Sequence, residues 1–373
     1  MSTLVIPEPR LDQPAPGTWR VTAKIARQEI YFEAPVPLSP RIEAFVCVMT
    51  LPAMQRHMDI VVRAPLSPVL IENLRQARTL ARQWWPNLRP SELCAPTGTD
   101  RKRAPGTGLF FTGGVDSSFA LSRLQKVVHE LLYVEGFDVK LTDTARLQEV
   151  RRWLEIVAAA TGHRLTIIRT NLRSHRLFKC LHWDLTHVAA LAAVAHLLGD
   201  RLGTVYVADT DAPAPFGSHP ELDKFWSSGS VALVNYGAEY TRLQRVAAIR
   251  NWPPLRGHLR VCWEHRAATL NCGRCEKCVR TRLELLAAGD PTGMNSFPDL
   301  PVTEALEQLV EAAPHVHLPN FWRNIQAALP DQRQRELIDM LLARSLQPRP
   351  RPTLFKRVKR RLNRLVGRRT STH

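Results

Sequence analysis

The stretch from Gly108 to Ile249 constrains this chain most, because short apolar runs alternate there with segments of helical period. Leu109-Phe110-Phe111 reads as a strand and 116–125 as a helix. A second strand over 131–136 precedes a helix with Leu147, Val150, Leu154 and Val157 on one face. A third strand (165–170), an Ala-rich helix (185–198), a fourth strand (204–209) and a fifth (231–237) follow, then a helix through Leu243, Val246 and Ile249. Apolar strands separated by amphipathic helices predict a parallel sheet in an α/β protein.

The flanks differ in texture. Trp19, Val21, Ala23 and Ile25 alternate with polar residues, as do Ile30 and Phe32. Further strands are expected over 43–49 and 58–62, then a helix over 68–85, so 1–86 reads as a small β-rich module. Prolines and the run Arg101-Lys102-Arg103 mark 87–107 as a linker. The main domain spans 108–290, and a helical extension 291–347 leads to a basic tail, 348–373.

That tail holds ten of the 51 lysines and arginines and no acid, leaving 41 basic residues against 34 acids elsewhere. The formal charge of +17 therefore does not describe a nucleic-acid-coating body. Leu354, Val358, Leu362, Leu365 and Val366 share one helical face, which suits RNA phosphates or an anionic membrane, or simply a solubilising tail. No basic segment followed by an apolar run opens the chain, and the apolar 185–198 helix contains His187 and His196 and is too short to span a bilayer. A cytoplasmic protein is expected, with homo-oligomerisation open.

The sharpest motif is Phe111-Thr112-Gly113-Gly114-Val115-Asp116-Ser117-Ser118, at the hand-over from the first strand to its helix. Backbone N–H groups and a helix N-terminus make an anion site there, and the glycines let phosphate oxygens approach the backbone. Thr112, Ser117 and Ser118 add hydroxyls, and Asp116 suits a magnesium ion bridging phosphate oxygens. A glycine turn capped by Asp116 or Ser117 is the plainer alternative.

Cys262, Cys272, Cys275 and Cys278 form C-x9-C-x2-C-x2-C, four of the seven cysteines. Two overlapping CxxC steps offer thiolates to one tetrahedral ion, with Asn271 and Gly273 letting the chain turn tightly. Zinc is expected, as a structural site with no position left for water, and an iron–sulfur cluster is the chemical alternative. Cys47, Cys94 and Cys180 read as ordinary thiols.

The loop resembles the SGGxDS signature of the PP-loop ATP pyrophosphatases, with Thr112 where that family carries Ser. Together with the four-cysteine knuckle it is similar to the 7-cyano-7-deazaguanine synthase family over roughly 107–290. The resemblance implies a doubly wound parallel sheet whose loop grips the pyrophosphate end of ATP. It implies ATP, Mg2+ and Zn2+ as cofactors, and backbone around Val134 and Gly136 facing adenine; Glu135 and Asp138 are candidates at that strand end. It also implies adenylation of a carboxylate or amide oxygen of a small-molecule acid, then displacement of AMP by a nitrogen nucleophile. Asp116, Ser117 and Arg280 are the expected catalytic residues, Arg280 reaching phosphate or a carboxylate just past the knuckle with Arg282.

The segments around the fourth strand differ from that family, so a different acceptor is expected. His182, Asp184, His187, Asp209, Asp211, His219 and Asp223 are the substrate-side candidates, because all border the open end of the sheet. Two other readings stand beside the ligase: an ATP-dependent tRNA-modifying enzyme, and a zinc-knuckle adaptor that binds nucleic acid.

Overall fold

A computed structural model describes residues 2–264, 269–312, 316 and 318–345. The chain runs β1 (Ser2–Ile6), β2 (Arg10–Ala15), β3 (Thr18–Ile25), β4 (Gln28–Ala34), α1 (Ile42–Arg56), β5 (Met58–Val62), α2 (Pro68–Trp84) and β6 (Leu93–Cys94). It continues β7 (Gly106–Phe110), α3 (Val115–Leu124), β8 (Glu130–Glu135), α4 (Thr144–Thr161), β9 (Arg164–Thr170), α5 (Trp183–Leu197) and β10 (Leu202–Ala208). Then come α6 (Pro220–Asp223), β11 (Ala232–Tyr236), α7 (Arg242–Ile249), α8 (Glu276–Ala287), α9 (Val302–Ala312), α10 (Pro319–Ala328) and α11 (Gln332–Ser345).

The central sheet is ordered β11-β10-β7-β8-β9-β4-β3-β2. Its first five strands are mutually parallel. Successive residues of these strands enter different cores. Phe110, Leu132, Val134, Ile168 and Val205 pack with α1, α2 and α5, whereas Leu109, Leu131 and Tyr133 pack with α3, α4 and α7. This is the period-two alternation of a sheet covered on both faces.

Residues 1–86 do not fold apart from this sheet. β4 pairs antiparallel with β9 through Phe32↔Thr170 and Glu33↔Arg169, and Asn171 Oδ1 accepts from Tyr31 N at 3.0 Å. A smaller parallel sheet, β1-β5-β6, lies beside it. The segment 43–49, expected as a strand, belongs to α1, which is buried at every position from Ala44 to Met54. A helix apolar all round has no polar face to reveal its period, so an apolar run this short reads equally as a strand. The segment expected as a linker lays down β6 and begins β7 at Gly106.

α9, α10 and α11 close a third core around Val279 and Leu283 of α8. The extension is therefore welded to the helix that carries the knuckle, and Trp322 Nε1 donates to Glu276 Oε1 at 3.2 Å. The basic tail 348–373 lies outside the described residues. Among the described residues no helix is long and apolar enough to cross a membrane.

Candidate functional site

The loop after β7 is held from two sides. Gly113 adopts φ +72°, and a Cβ there would lie 1.6 Å from Trp153 Cη2. The Trp153 ring is stacked parallel on Phe111, centroids 6.3 Å apart. From the other side Arg260 N donates to Gly113 O (2.9 Å) and Arg260 Nη1 to Thr112 O (3.2 Å). Gly114 is the N-cap of α3 and supplies no side-chain cap, so the first-turn N–H groups keep their capacity for an outside acceptor. Ser117 Oγ accepts from Thr112 N at 3.3 Å and stands 3.4 Å from Thr112 Oγ1.

Asp116 faces two guanidiniums: Arg242 Nη1 at 2.9 Å and Arg245 Nη1 at 3.0 Å, one on each carboxylate oxygen. Burial raises the Asp116 pKa, but Arg242 and Arg245 outweigh it and hold the carboxyl below its ordinary value. Arg242 Nε also donates to both oxygens of Glu284 (2.9 and 3.1 Å), and Arg245 Nη2 to Asp209 Oδ1 at 2.9 Å. The magnesium-holding role expected of Asp116 would require these pairs to open.

Two adjoining chambers, of about 260 and 350 Å³, meet at Thr112, Gly114 and Asp116. The smaller is apolar, walled by Phe110, Leu132, Val134, Phe137, Leu191 and Val207. The larger carries five cations on its wall, Arg173, Arg242, Arg260, Lys277 and Arg280, against three carboxylates, Asp116, Asp138 and Asp184. Both open where chain leaves the carboxyl ends of β7, β8 and β10. β7 and β10 are neighbours, but the chain goes from β7 to β8 on the opposite side, so the cleft sits where strand order reverses.

Arg280, 3 % exposed, stacks its guanidinium over Phe321 at 4.7 Å, and its Nε and Nη1 have no hydrogen-bond partner. Burial and the neighbouring Arg242 lower its pKa, and burial with Arg242 and Arg280 lowers that of Lys277. Glu284 lies 3.7 Å from Arg280 Nε.

The four clustered sulfurs all lie within 4.8 Å of one another. Cys262 and Cys275 stand 3.9 Å apart, as do Cys272 and Cys278. Four thiolates around zinc at about 2.3 Å have tetrahedral edges of roughly 3.8 Å, so the set fits a single ion. A multi-iron cluster would interpose its own edges and spread the sulfurs further. Buried Asn271 organises the knuckle. Its Oδ1 accepts from Val261 N (2.8 Å) and Cys262 N (3.1 Å), while Nδ2 donates to Leu259 O and Ser296 O. Gly273 turns at φ +73° against Pro298.

The expected site residues separate on inspection. Gly114, Val115, Asp116, Ser117 and Val134 line the cleft, as does Arg280. Phe111 and Ser118 face the core instead, Gly113 packs on Trp153, and Gly136 turns the chain after β8 by donating its N–H to Val139 O. Of the substrate-side candidates only Asp184 and His187 line the chambers. His182 is exposed and pairs with Asp184 at 3.1 Å. Burial lowers the His187 pKa.

Asp209 and Asp211 act behind the wall. Asp211 Oδ2 accepts from Arg242 N at 2.7 Å, and burial raises its pKa, with Asp209 adding to the rise. His219 stands edge-on to Trp84 at 5.2 Å and starts the short helix α6. Asp223 is wholly buried, accepting from His219 N (3.2 Å) and Asn235 Nδ2 (2.8 Å), and burial pushes its carboxyl up to about 7.

Sequence reasoning missed Lys277, Arg242, Arg245, Arg260 and Arg173. Arg242 and Arg245 are one helical turn apart, both buried, on a helix otherwise read by its apolar face. Lys277 was visible between two of the cysteines.

Fold and site together define a mixed α/β protein with a parallel sheet and a four-thiolate centre able to hold zinc. No protein-family model, curated protein or solved structure matches the chain.

Proposed function

We propose that this protein is an ATP-dependent enzyme of the PP-loop pyrophosphatase type, a doubly wound α/β sheet that adenylates a small-molecule acid. The observation that supports this best is the position of the Gly-Gly loop, between an apolar chamber and a cationic one at the point of strand reversal. The parallel strands, numbered from β7, run in the order third-second-first-fourth-fifth, which is the order of a doubly wound nucleotide-binding sheet.

In this reading adenine occupies the apolar chamber and the α-phosphate rests on Gly114 and the first turn of α3. A carboxylate or amide oxygen of the acceptor attacks the α-phosphorus. The bond to the bridging oxygen breaks, and pyrophosphate leaves with the electron pair toward Lys277 and Arg280. A nitrogen nucleophile then attacks the activated carbon and AMP departs. Magnesium enters with the nucleotide. The protein's part is positioning and charge stabilisation.

The test is the fate of labelled ATP with magnesium in three arms: buffer, a small-metabolite extract, and total tRNA. AMP and pyrophosphate in the metabolite arm alone are the expected result. Their appearance with tRNA alone would transfer the reading to an RNA-modifying enzyme. ADP and phosphate would overturn adenylation. No turnover in any arm, with nucleic acid still bound, would leave the adaptor.

A further inference from the structure

We infer that His187 selects the base in the apolar chamber by accepting a hydrogen bond from the exocyclic amino group of a purine, an assignment that rests on the reading proposed above. The chamber-facing stripe of α5 is Trp183, His187 and Leu191, spaced four residues apart, and all three line the cavity. Behind them Val188, Ala189, Ala192 and Ala193 pack into the core. His187 is the one ionisable side chain of that stripe. Among the described residues it is also the one imidazole on the wall of either chamber.

A polar group in an apolar wall is costly where one of its atoms has no partner. Nδ1 of His187 stands 3.3 Å from the carbonyl oxygen of Trp183, one helical turn back. A carbonyl only accepts, so Nδ1 carries the hydrogen of that bond and Nε2 of the neutral ring is a bare acceptor. Among the described residues no donor meets Nε2. Burial holds the ring's pKa below its ordinary value, against Asp184 and Asp138, which raise it; at pH 8 Nε2 therefore keeps its lone pair. Trp183 and Phe216 flank the ring at 6.0 and 5.8 Å and limit its rotation.

The carboxylates on this wall are spent or outlying. Asp116 is paired with Arg242 and Arg245, and Asp138 is 41 % exposed and 3.8 Å from Arg260. A second unsatisfied group enters the same wall: Ser218 is 1 % exposed, and its hydroxyl has no partner. Gly217 N donates to Asp184 O at 3.0 Å, which seats this segment on the first turn of α5. A bare acceptor and a hydroxyl donor suit an amino group next to a ring nitrogen, the edge that adenine presents. Guanine and hypoxanthine carry a carbonyl oxygen in place of that amino group, and Nε2 would repel it.

The experiment is calorimetric titration at pH 8 of two nucleotides into the zinc-loaded full chain: AMP, and purine riboside monophosphate, which has hydrogen where AMP carries its amino group. AMP is expected to bind about tenfold more tightly. His187→Phe keeps a flat ring between Trp183 and Phe216 but offers no acceptor, so it should weaken AMP until the two affinities agree within about twofold. His187→Gln, whose amide oxygen accepts, should keep AMP ahead. Should His187→Phe fail to fold, His187→Leu takes its place, and the nitrogen NMR resonance of Nε2 in the parent should move with AMP and stay put with the other nucleotide. A role in packing alone would weaken both nucleotides equally, and that unchanged ratio would overturn the assignment. Equal affinities in the parent would overturn it as well while leaving the nucleotide reading in place; binding of neither nucleotide would remove both.

Discussion

Replacing Gly113 by alanine should destabilise the protein by about 2–5 kcal/mol, a sum of two separable costs. Alanine at φ +72° sits in the left-handed region, which costs roughly 1–2 kcal/mol. The added methyl would lie 1.6 Å from Trp153 Cη2 and 2.2 Å from Cζ3. Trp153 has little freedom to retreat, being stacked on Phe111 and flanked by His258 at 6.4 Å. Overpacking of that kind costs about 1–3 kcal/mol. Urea unfolding followed by circular dichroism measures the total. Gly113→Ala with Trp153→Phe should give a favourable interaction energy of about 1–3 kcal/mol, because the smaller ring removes the clash and leaves the backbone cost. Gly114→Ala is the control: its nearest neighbours would be 3.5 and 3.7 Å away, and its stability should stay within about 0.5 kcal/mol of the parent. A Gly113→Ala protein equally close to the parent would refute the argument.

Purified protein should carry one zinc per chain, and cobalt substitution should give the visible absorption of tetrahedral thiolate ligation; two or more irons with bound sulfide would instead mark a cluster. Arg242→Met should cost about 3–5 kcal/mol, because it strands buried Glu284 without its main cation; chemical denaturation reads this. Asp223 binds a proton more readily folded than unfolded, since burial raises its carboxyl to about 7. Its contribution to stability is therefore present at pH 4 and lost as pH rises through 7. Unfolding midpoints at pH 5 and pH 8 should differ less in Asp223→Asn, whose amide can pair with a flipped Asn235, the Oδ1 of which has no partner now.

Most strands and helices of 108–249, and β3 before them, were legible because their apolar residues keep a clear period or a chemical boundary. Val21, Ala23 and Ile25 alternate into the core, and Leu147, Val150, Leu154 and Val157 keep one face of α4. α1 was not legible as a helix, since its burial on every side erases the contrast that defines a helical stripe. The joining of β4 to β9 was hidden for a different reason. Antiparallel pairing between residues 32–33 and 169–170 is a long-range choice that no local pattern encodes. At the site, spacing revealed the loop and the cysteines, whose chemistry is local. The arginines were not revealed, because their meaning lies in which carboxylates they meet after folding.

That distinction changes what the acidic residues of the cleft are for. Asp116, Asp209 and Glu284 were candidates for touching substrate or metal, or went unremarked, yet each is spent on Arg242 or Arg245. Pairing them fixes two guanidiniums behind the loop and cancels their charge. Arg260 and Arg280, on the same wall as Lys277, keep guanidinium N–H donors without a hydrogen-bond partner. The wall they share carries five cations against three carboxylates. The helical extension contributes through the same groups, because Phe321 lies under Arg280 and Trp322 bonds Glu276 beside Lys277. Knuckle, loop and extension are thus joined around one cleft, through Arg260 on the loop and Phe321 and Trp322 on α8.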